Sequence, residues 1–312
     1  MDLPETHCST VVELNQSSAR RVVFCVHPAG GGVGYYEGLA RALEQHAKLY
    51  ALEEPFIYGD FSYGSLPELA EYHVDVIRSI QPEGPYTIFG YCSGGVIAYE
   101  VACQLQLAGA EVDSVSLFGS GRVSGFDPEE RERVTFLRDY IAARYGIELG
   151  GLDWERMETF SFREVADVIV DSLRRQGIPE AGSDLEWAAR CIESMCLMRQ
   201  ATRKYRAPRS KLDVYLYEWH YLDPVIAEQI KPWCDWNTLT EGKLTVVAPP
   251  EREGAGVDIM YPPYLEQTVD RVKQITLGLG RLRDVRCRTD VFLGDVIEAN
   301  RPRAGSTRSR IG

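Results

Sequence analysis

Five short, almost unbroken apolar runs, each closed by turn residues, constrain this chain more than any other feature of its sequence. They fall at Val22–Val26, 87–89, 115–118, Val214–Tyr217 and Leu244–Val247. A strand with one wet face alternates apolar and polar residues, whereas an unbroken run is covered on both faces, as in a parallel sheet. Helical patterns at 36–44, Leu66–Ile80 and 95–107 separate the runs. Alternation of this kind implies an α/β fold, a mostly parallel sheet flanked by helices. The rhythm breaks over 126–205, which is amphipathic and helix-rich, with helix starts at Asp127-Pro128-Glu129-Glu130 and Gly182-Ser183-Asp184. That stretch reads as a helical lid inserted into one sheet, which resumes over 212–247 and closes with a helix at 264–277. The expected organisation is an N-terminal segment at 1–19, one α/β domain at 20–278 containing the lid, and a tail at 279–312.

Composition narrows the partners. At 312 residues and 45% hydrophobic content, the chain can bury one large core. Its formal charge of −12 disfavours nucleic acid, because phosphate binding needs clustered Lys and Arg. The tail differs, with eight arginines against four acids from Arg281 onward, and reads as a flexible basic appendage. The first 21 residues carry no apolar leader, and no run reaches membrane-spanning length, so a cytoplasmic protein without membrane contact is expected. Eight scattered cysteines then read as reduced thiols. Cys191 and Cys196 have no second ligand pair at metal spacing and read as buried small hydrophobes, so no metal is expected.

The segment with the most chemistry is Tyr86-Thr87-Ile88-Phe89-Gly90-Tyr91-Cys92-Ser93-Gly94-Gly95, a strand entering a G-x-C-x-G turn and then a small-residue helix start. Glycines two before and two after a nucleophile permit the sharp turn that lifts its side chain above the sheet. Cys92 is the expected nucleophile, since the helix dipole at its back favours thiolate. A buried core cysteine in a chance G-x-C-x-G is the competing reading, and Ser93, off register with the glycines, reads as a helix-start residue. Upstream, Val22–Val26 runs into His27-Pro28-Ala29-Gly30-Gly31-Gly32, which fits neither phosphate-loop pattern. It reads as an oxyanion loop: an amide around Ala29 and Gly30 would join the amide of Ser93. His27 is expected to orient this loop.

Together the stretch from Phe24 (F-C-V-H-P-A-G-G-G), Tyr36, the stretch from Ser79 to Tyr86, G-Y-C-S-G-G from Gly90, Ala98-Tyr99-Glu100 and L-Q-L-A-G from Leu105 resemble the thioesterase domains of nonribosomal peptide and polyketide synthases. The resemblance is close over 20–121, loose over 209–278 and weak in the lid. It implies an α/β-hydrolase fold and an acyl or peptidyl substrate on the phosphopantetheine arm of a carrier protein. No cofactor bound by the chain itself is implied. Two positions depart from the family. Its triad acid follows the strand after the elbow helix, where this chain has Leu117-Phe118-Gly119-Ser120, and its histidine follows the last strand, whereas here no histidine comes after His220. His220, Asp223 and Asp258 are the stand-ins to consider, against a reading as solvated loop residues.

A thiolate attacks a thioester unaided, whereas water needs a positioned base. The expectation is therefore an acyl or aminoacyl transferase that loads Cys92 from one carrier and unloads it to another carrier thiol, as in a small cysteine-nucleophile branch that this chain resembles. A releasing thioesterase, hydrolytic or cyclising, is the alternative, and a non-catalytic carrier-binding homologue the third reading.

Overall fold

The computed structural model describes residues 10–59, 61–120, 133–177, 185–218, 233–248, 259–279 and 287–288. Its strands are β1 (Val11–Glu13), β2 (Val22–Val26), β3 (Lys48–Leu52), β4 (Tyr86–Tyr91), β5 (Val112–Phe118), β6 (Val214–Tyr217), β7 (Leu244–Val247) and β8 (Cys287–Arg288). They form one sheet in the order β1-β3-β2-β4-β5-β6-β7-β8. Pairing is parallel from β3 through β7, and β1 and β8 add antiparallel edges. Both edge strands lie in the segments 1–19 and 279–312 that were expected to flank the domain, yet they pair with its sheet.

The apolar runs are buried on both faces, as their patterning requires. Phe24 and Val26 point into one core with Ile88, Val115, Leu117, Val214 and Leu216. Val23 and Cys25 point into a second core with Phe89, Phe118, Tyr217 and Val247. Helices α3 (Leu66–Ile80) and α4 (Gly94–Leu107) cover the first face. Helix α1 (Glu37–Leu43) and α10 (Leu265–Arg271), which runs on into a π-helical turn at Val272–Thr276, cover the second. Short helices α2 (Pro55–Tyr58) and α9 (Trp233–Leu239) complete this layer set. Leu66–Ile80 is helical because Leu66, Leu69, Ala70, His73, Val74 and Ile77 make one stripe, with Ser65 capping the Glu68 N–H.

From β2 the chain steps outward to β3, then crosses back over β2 to β4 and proceeds the other way. The winding reverses between β2 and β4, and in open α/β sheets functional loops gather at the carboxyl ends of the strands flanking that reversal.

The described part of the expected lid holds four helices and no strand: α5 (Phe136–Tyr145), α6 (Trp154–Met157), α7 (Phe162–Arg175) and α8 (Leu185–Lys204). The helix start at 127–130 lies outside the described residues, as does the one at 182–184. Helix α7 opens on a complete capping box, Ser161 with Glu164, and is tied to α8 by the bidentate pair of Arg163 with Glu186. The lid has its own apolar core, built from Val134, Leu137, Met157, Val165, Ile169 and Met195 among others, and Ala29 packs against it. Met195 and Met198 of α8 are buried, whereas Trp187 of the same helix is 49% exposed. Just beyond its far end α8 is pinned to α4 by Tyr205, whose hydroxyl donates to Glu100 Oε2 at 2.5 Å.

Candidate active site

Strand β4 ends at Tyr91, and Cys92 follows with φ +53°, the one described non-glycine residue with positive φ. Such backbone costs of order 1–3 kcal/mol and persists where its surroundings hold it. Here the Cys92 N–H donates to the Phe118 carbonyl on β5 at 2.9 Å, and the Cys92 carbonyl accepts the Gly95 N–H at 3.1 Å, opening α4. A Cβ on Gly90 would lie 2.5 Å from Gly95 Cα, and one on Gly94 would lie 2.4 Å from the His27 carbonyl oxygen. Both glycines are there for close approach: one lets α4 lie on the strand it has just left, the other seats α4 against the loop after β2. Cys92 thus stands half-buried at the N-terminal end of α4. Cys25, Cys103, Cys191 and Cys196 sit in different surroundings. Burial pushes the thiols of Cys103, Cys191 and Cys196 up to about 12, and raises that of Cys25 as well.

The loop after β2 meets the elbow directly. The Ala29 N–H, expected to face an oxyanion, donates to the Ser93 hydroxyl at 2.7 Å. Ser93 holds the N-cap position of α4, but its side chain accepts no helix N–H and serves the loop instead. The N–H groups of Ser93 and Gly30 donate to nothing among the described residues. Gly30 lies beneath α8, where a Cβ would sit 3.6 Å from Met195 Cε.

His27 is fully buried beneath the loop. Its Nδ1 lies 3.1 Å from the Pro28 carbonyl, its Nε2 3.8 Å from Glu54 Oε2, and its ring centroid 5.3 Å from that of His73. Glu54 accepts the Tyr63 hydroxyl at 3.1 Å and the Phe56 N–H at 3.3 Å. Neither ring nitrogen of His73 has a hydrogen-bond partner among the described residues. Burial, reinforced by His27, holds His73 well below the usual histidine range, so it is neutral. Sequence reasoning missed this group, although a histidine inside the apolar stripe of α3 was the signal for it.

On the other side of the elbow, Gly119 follows β5 and donates its N–H to the Tyr217 carbonyl at 2.8 Å, and as a glycine it offers no side chain where the resemblance expects an acid. His220, Asp223 and Asp258 lie outside the described residues. Among the described residues, no helix is long and apolar enough to cross a membrane, and no group of three His, Cys, Asp or Glu could hold a metal ion.

A parallel sheet with a sharp strand-to-helix turn beside its topological reversal, faced by a glycine loop and roofed by an inserted helical lid, defines an α/β-hydrolase-fold protein. Residues 21–247 match the thioesterase domain family, and the chain belongs to that family. Polyketide synthase PksR of Bacillus subtilis (strain 168) is 37% identical over 111 residues, a stretch that covers 35% of this chain and 4% of that protein. Tyrocidine synthase 3 of Brevibacillus parabrevis is 39% identical over 116 residues, 37% of this chain and 2% of that one. The chain therefore corresponds to a small part of these multidomain relatives. In fold it is similar to the NocB thioesterase domain from the nocardicin cluster, with TM-score 0.60 and 21% identity over 86% of this chain and 99% of that domain.

Proposed function

We propose that this protein is a thioesterase-family acyltransferase that takes an acyl or aminoacyl group from a carrier-protein phosphopantetheine thioester onto Cys92 and passes it to another carrier thiol. The observation that carries this is the pairing of a thiol on a strained elbow with a glycine, Gly119, at the end of β5. The Cys92 thiolate attacks the thioester carbon, the carbon–sulfur bond to the carrier breaks, and the carrier sulfur leaves as thiolate. The Ser93 N–H meets the oxygen on which charge develops. Reversal of these steps with a second carrier thiolate discharges the enzyme. An alkyl thiol near pKa 8.5 is roughly 3% thiolate at pH 7, so it needs little help from a base, whereas water needs a positioned one.

A releasing thioesterase is the second reading, supported by the likeness to thioesterase domains that sit inside synthetases. Its base would come from outside the described residues, with His220 the first candidate.

Mass spectrometry separates the two. Wild-type protein should gain the acyl mass from an acyl-carrier thioester, and Cys92→Ala should not. After removal of the donor, the acyl-enzyme should persist in buffer and discharge at least about a hundredfold faster when an unloaded holo-carrier is added. Rapid release of free acid with no acceleration by the acceptor would overturn transfer in favour of hydrolysis.

A further inference from the structure

Against a formal charge of −12 for the whole chain, one groove collects cations. It has a volume of about 410 Å³ and is lined by Arg133, Arg199, Arg203, Lys204 and Arg206, with Phe162 and Cys196 on its walls. Four of these cations come from α8 and the residues just after it, and Arg133 comes from the turn that precedes α5. Two are held by aromatic faces: the Arg199 guanidinium lies 4.4 Å from the Phe136 ring centroid, and that of Arg133 lies 4.8 Å from the centroid of Phe162. Arg133 also donates to the Glu158 carbonyl at 2.8 Å. Glu158 accepts the N–H groups of Arg133, Val134 and Thr135 and the Thr135 hydroxyl, and Glu193 faces Arg163 and Arg190. Arg206 donates to the carbonyls of Arg203 and Tyr205, which fixes its direction at the end of α8.

The groove is also placed with respect to Cys92. Met195 of α8 roofs Gly30 in the loop beside the elbow. At a rise of about 1.5 Å per residue, Arg199 and Arg203 stand about 6 and about 12 Å further along the same helix. A ligand reaching the elbow with one end would need an anionic group some way from its reacting atom. Phosphopantetheine has that form, with the thioester at one end of an extended arm and the phosphodiester at the other.

We propose that this groove binds the phosphodiester of the carrier-borne phosphopantetheine arm. The assignment rests on the acyl-carrier reading given above and adds a second, remote anchor for the donor. Guanidinium groups suit it, since they offer paired N–H donors to two phosphate oxygens.

The test compares donors carrying the same acyl group: acyl-holo-carrier, acyl-phosphopantetheine, acyl-coenzyme A and acyl-pantetheine without phosphate. Wild-type protein should acylate from acyl-phosphopantetheine with a KM at least tenfold below that for acyl-pantetheine, and the advantage should shrink with added salt. Arg199→Gln with Arg203→Gln should erase that preference through KM, and should raise KM for acyl-carrier about tenfold. Lys204→Glu with Arg206→Glu, at exposed positions, provides a second pair that leaves the lid core untouched. A preference that survives in both pairs, or equal losses for phosphorylated and phosphate-free donors, would overturn the proposal. Sensitivity to the substitutions with acyl-coenzyme A but not with acyl-carrier would assign the groove to a free nucleotide thioester instead. If no thioester loads Cys92, the acyl-carrier reading itself fails. Calorimetric titration with phosphopantetheine against pantetheine still decides the groove, since equal affinities would refute it.

Discussion

The hydroxyl of Ser93 accepts a hydrogen bond from the Ala29 N–H at 2.7 Å, joining the start of α4 to the loop after β2 across 64 residues of sequence. An oxygen at that distance from the Ala29 N–H stands where an oxyanion would stand. A hydroxyl that already accepts an N–H is a stronger donor through its own proton. In the proposed transfer Ser93 would supply two donors to the oxyanion, its N–H and its polarised O–H, with Ala29 as support.

Replacing Ser93 with Ala tests this arrangement. Loss of one donor to a developing oxyanion costs about 100-fold or more in rate in acyl-transfer enzymes. Ser93→Ala should slow acylation of Cys92 by at least tenfold in single-turnover kinetics while leaving donor KM within about twofold. Faster acylation would mean that the Ala29 amide is the direct donor and that Ser93 obstructs it.

The elbow glycines should be intolerant for a steric reason. A methyl on Gly90 would meet backbone at 2.5 Å, which α4 can relieve only by moving off β4. Gly90→Ala should cost about 3 kcal/mol or more in chemical denaturation. Gly109→Ala is the contrast, since its added methyl meets nothing within 4 Å at φ +78°, and its cost should stay near about 1 kcal/mol. Equal losses at the two sites would contradict the packing account.

His73, buried against His27, predicts acid sensitivity. Its folded pKa is depressed, so below the unfolded value of about 6.5 the unfolded chain takes up a proton that the folded chain refuses. Stability should then fall with pH from about 6.5 downward, by at most about 1.4 kcal/mol per unit for this one group. His27, Glu54 and Tyr63 share the site and are common to both proteins in the comparison. Thermal melts of wild type and His73→Gln between pH 7.5 and 5 on the order of half a unit apart should show the smaller decline in the variant. Parallel declines would show that His73 does not set the acid limb.

The local patterns of this chain determined a good deal. Val22–Val26, Val214–Tyr217, Leu244–Val247 and Leu66–Ile80 take the expected form with the expected bounds, because an apolar run or stripe has one way to be dry on the required faces. The turn at Cys92 was legible for a similar reason, since glycines at 90 and 94 leave room where a Cβ would strike backbone. Strands β1, β3 and β8 escaped notice because each is short or partly polar and becomes a strand only when a neighbour supplies its hydrogen bonds. Tertiary structure alone decided that Ser93 serves the loop rather than its helix, that His73 lies against His27, and that Met195 roofs Gly30 while Trp187 faces outward. It also gathered Arg133 with the cations of α8 around one groove. Each of these is a meeting of residues far apart in the chain, and a local periodicity records which face of an element is apolar but not which element will cover it.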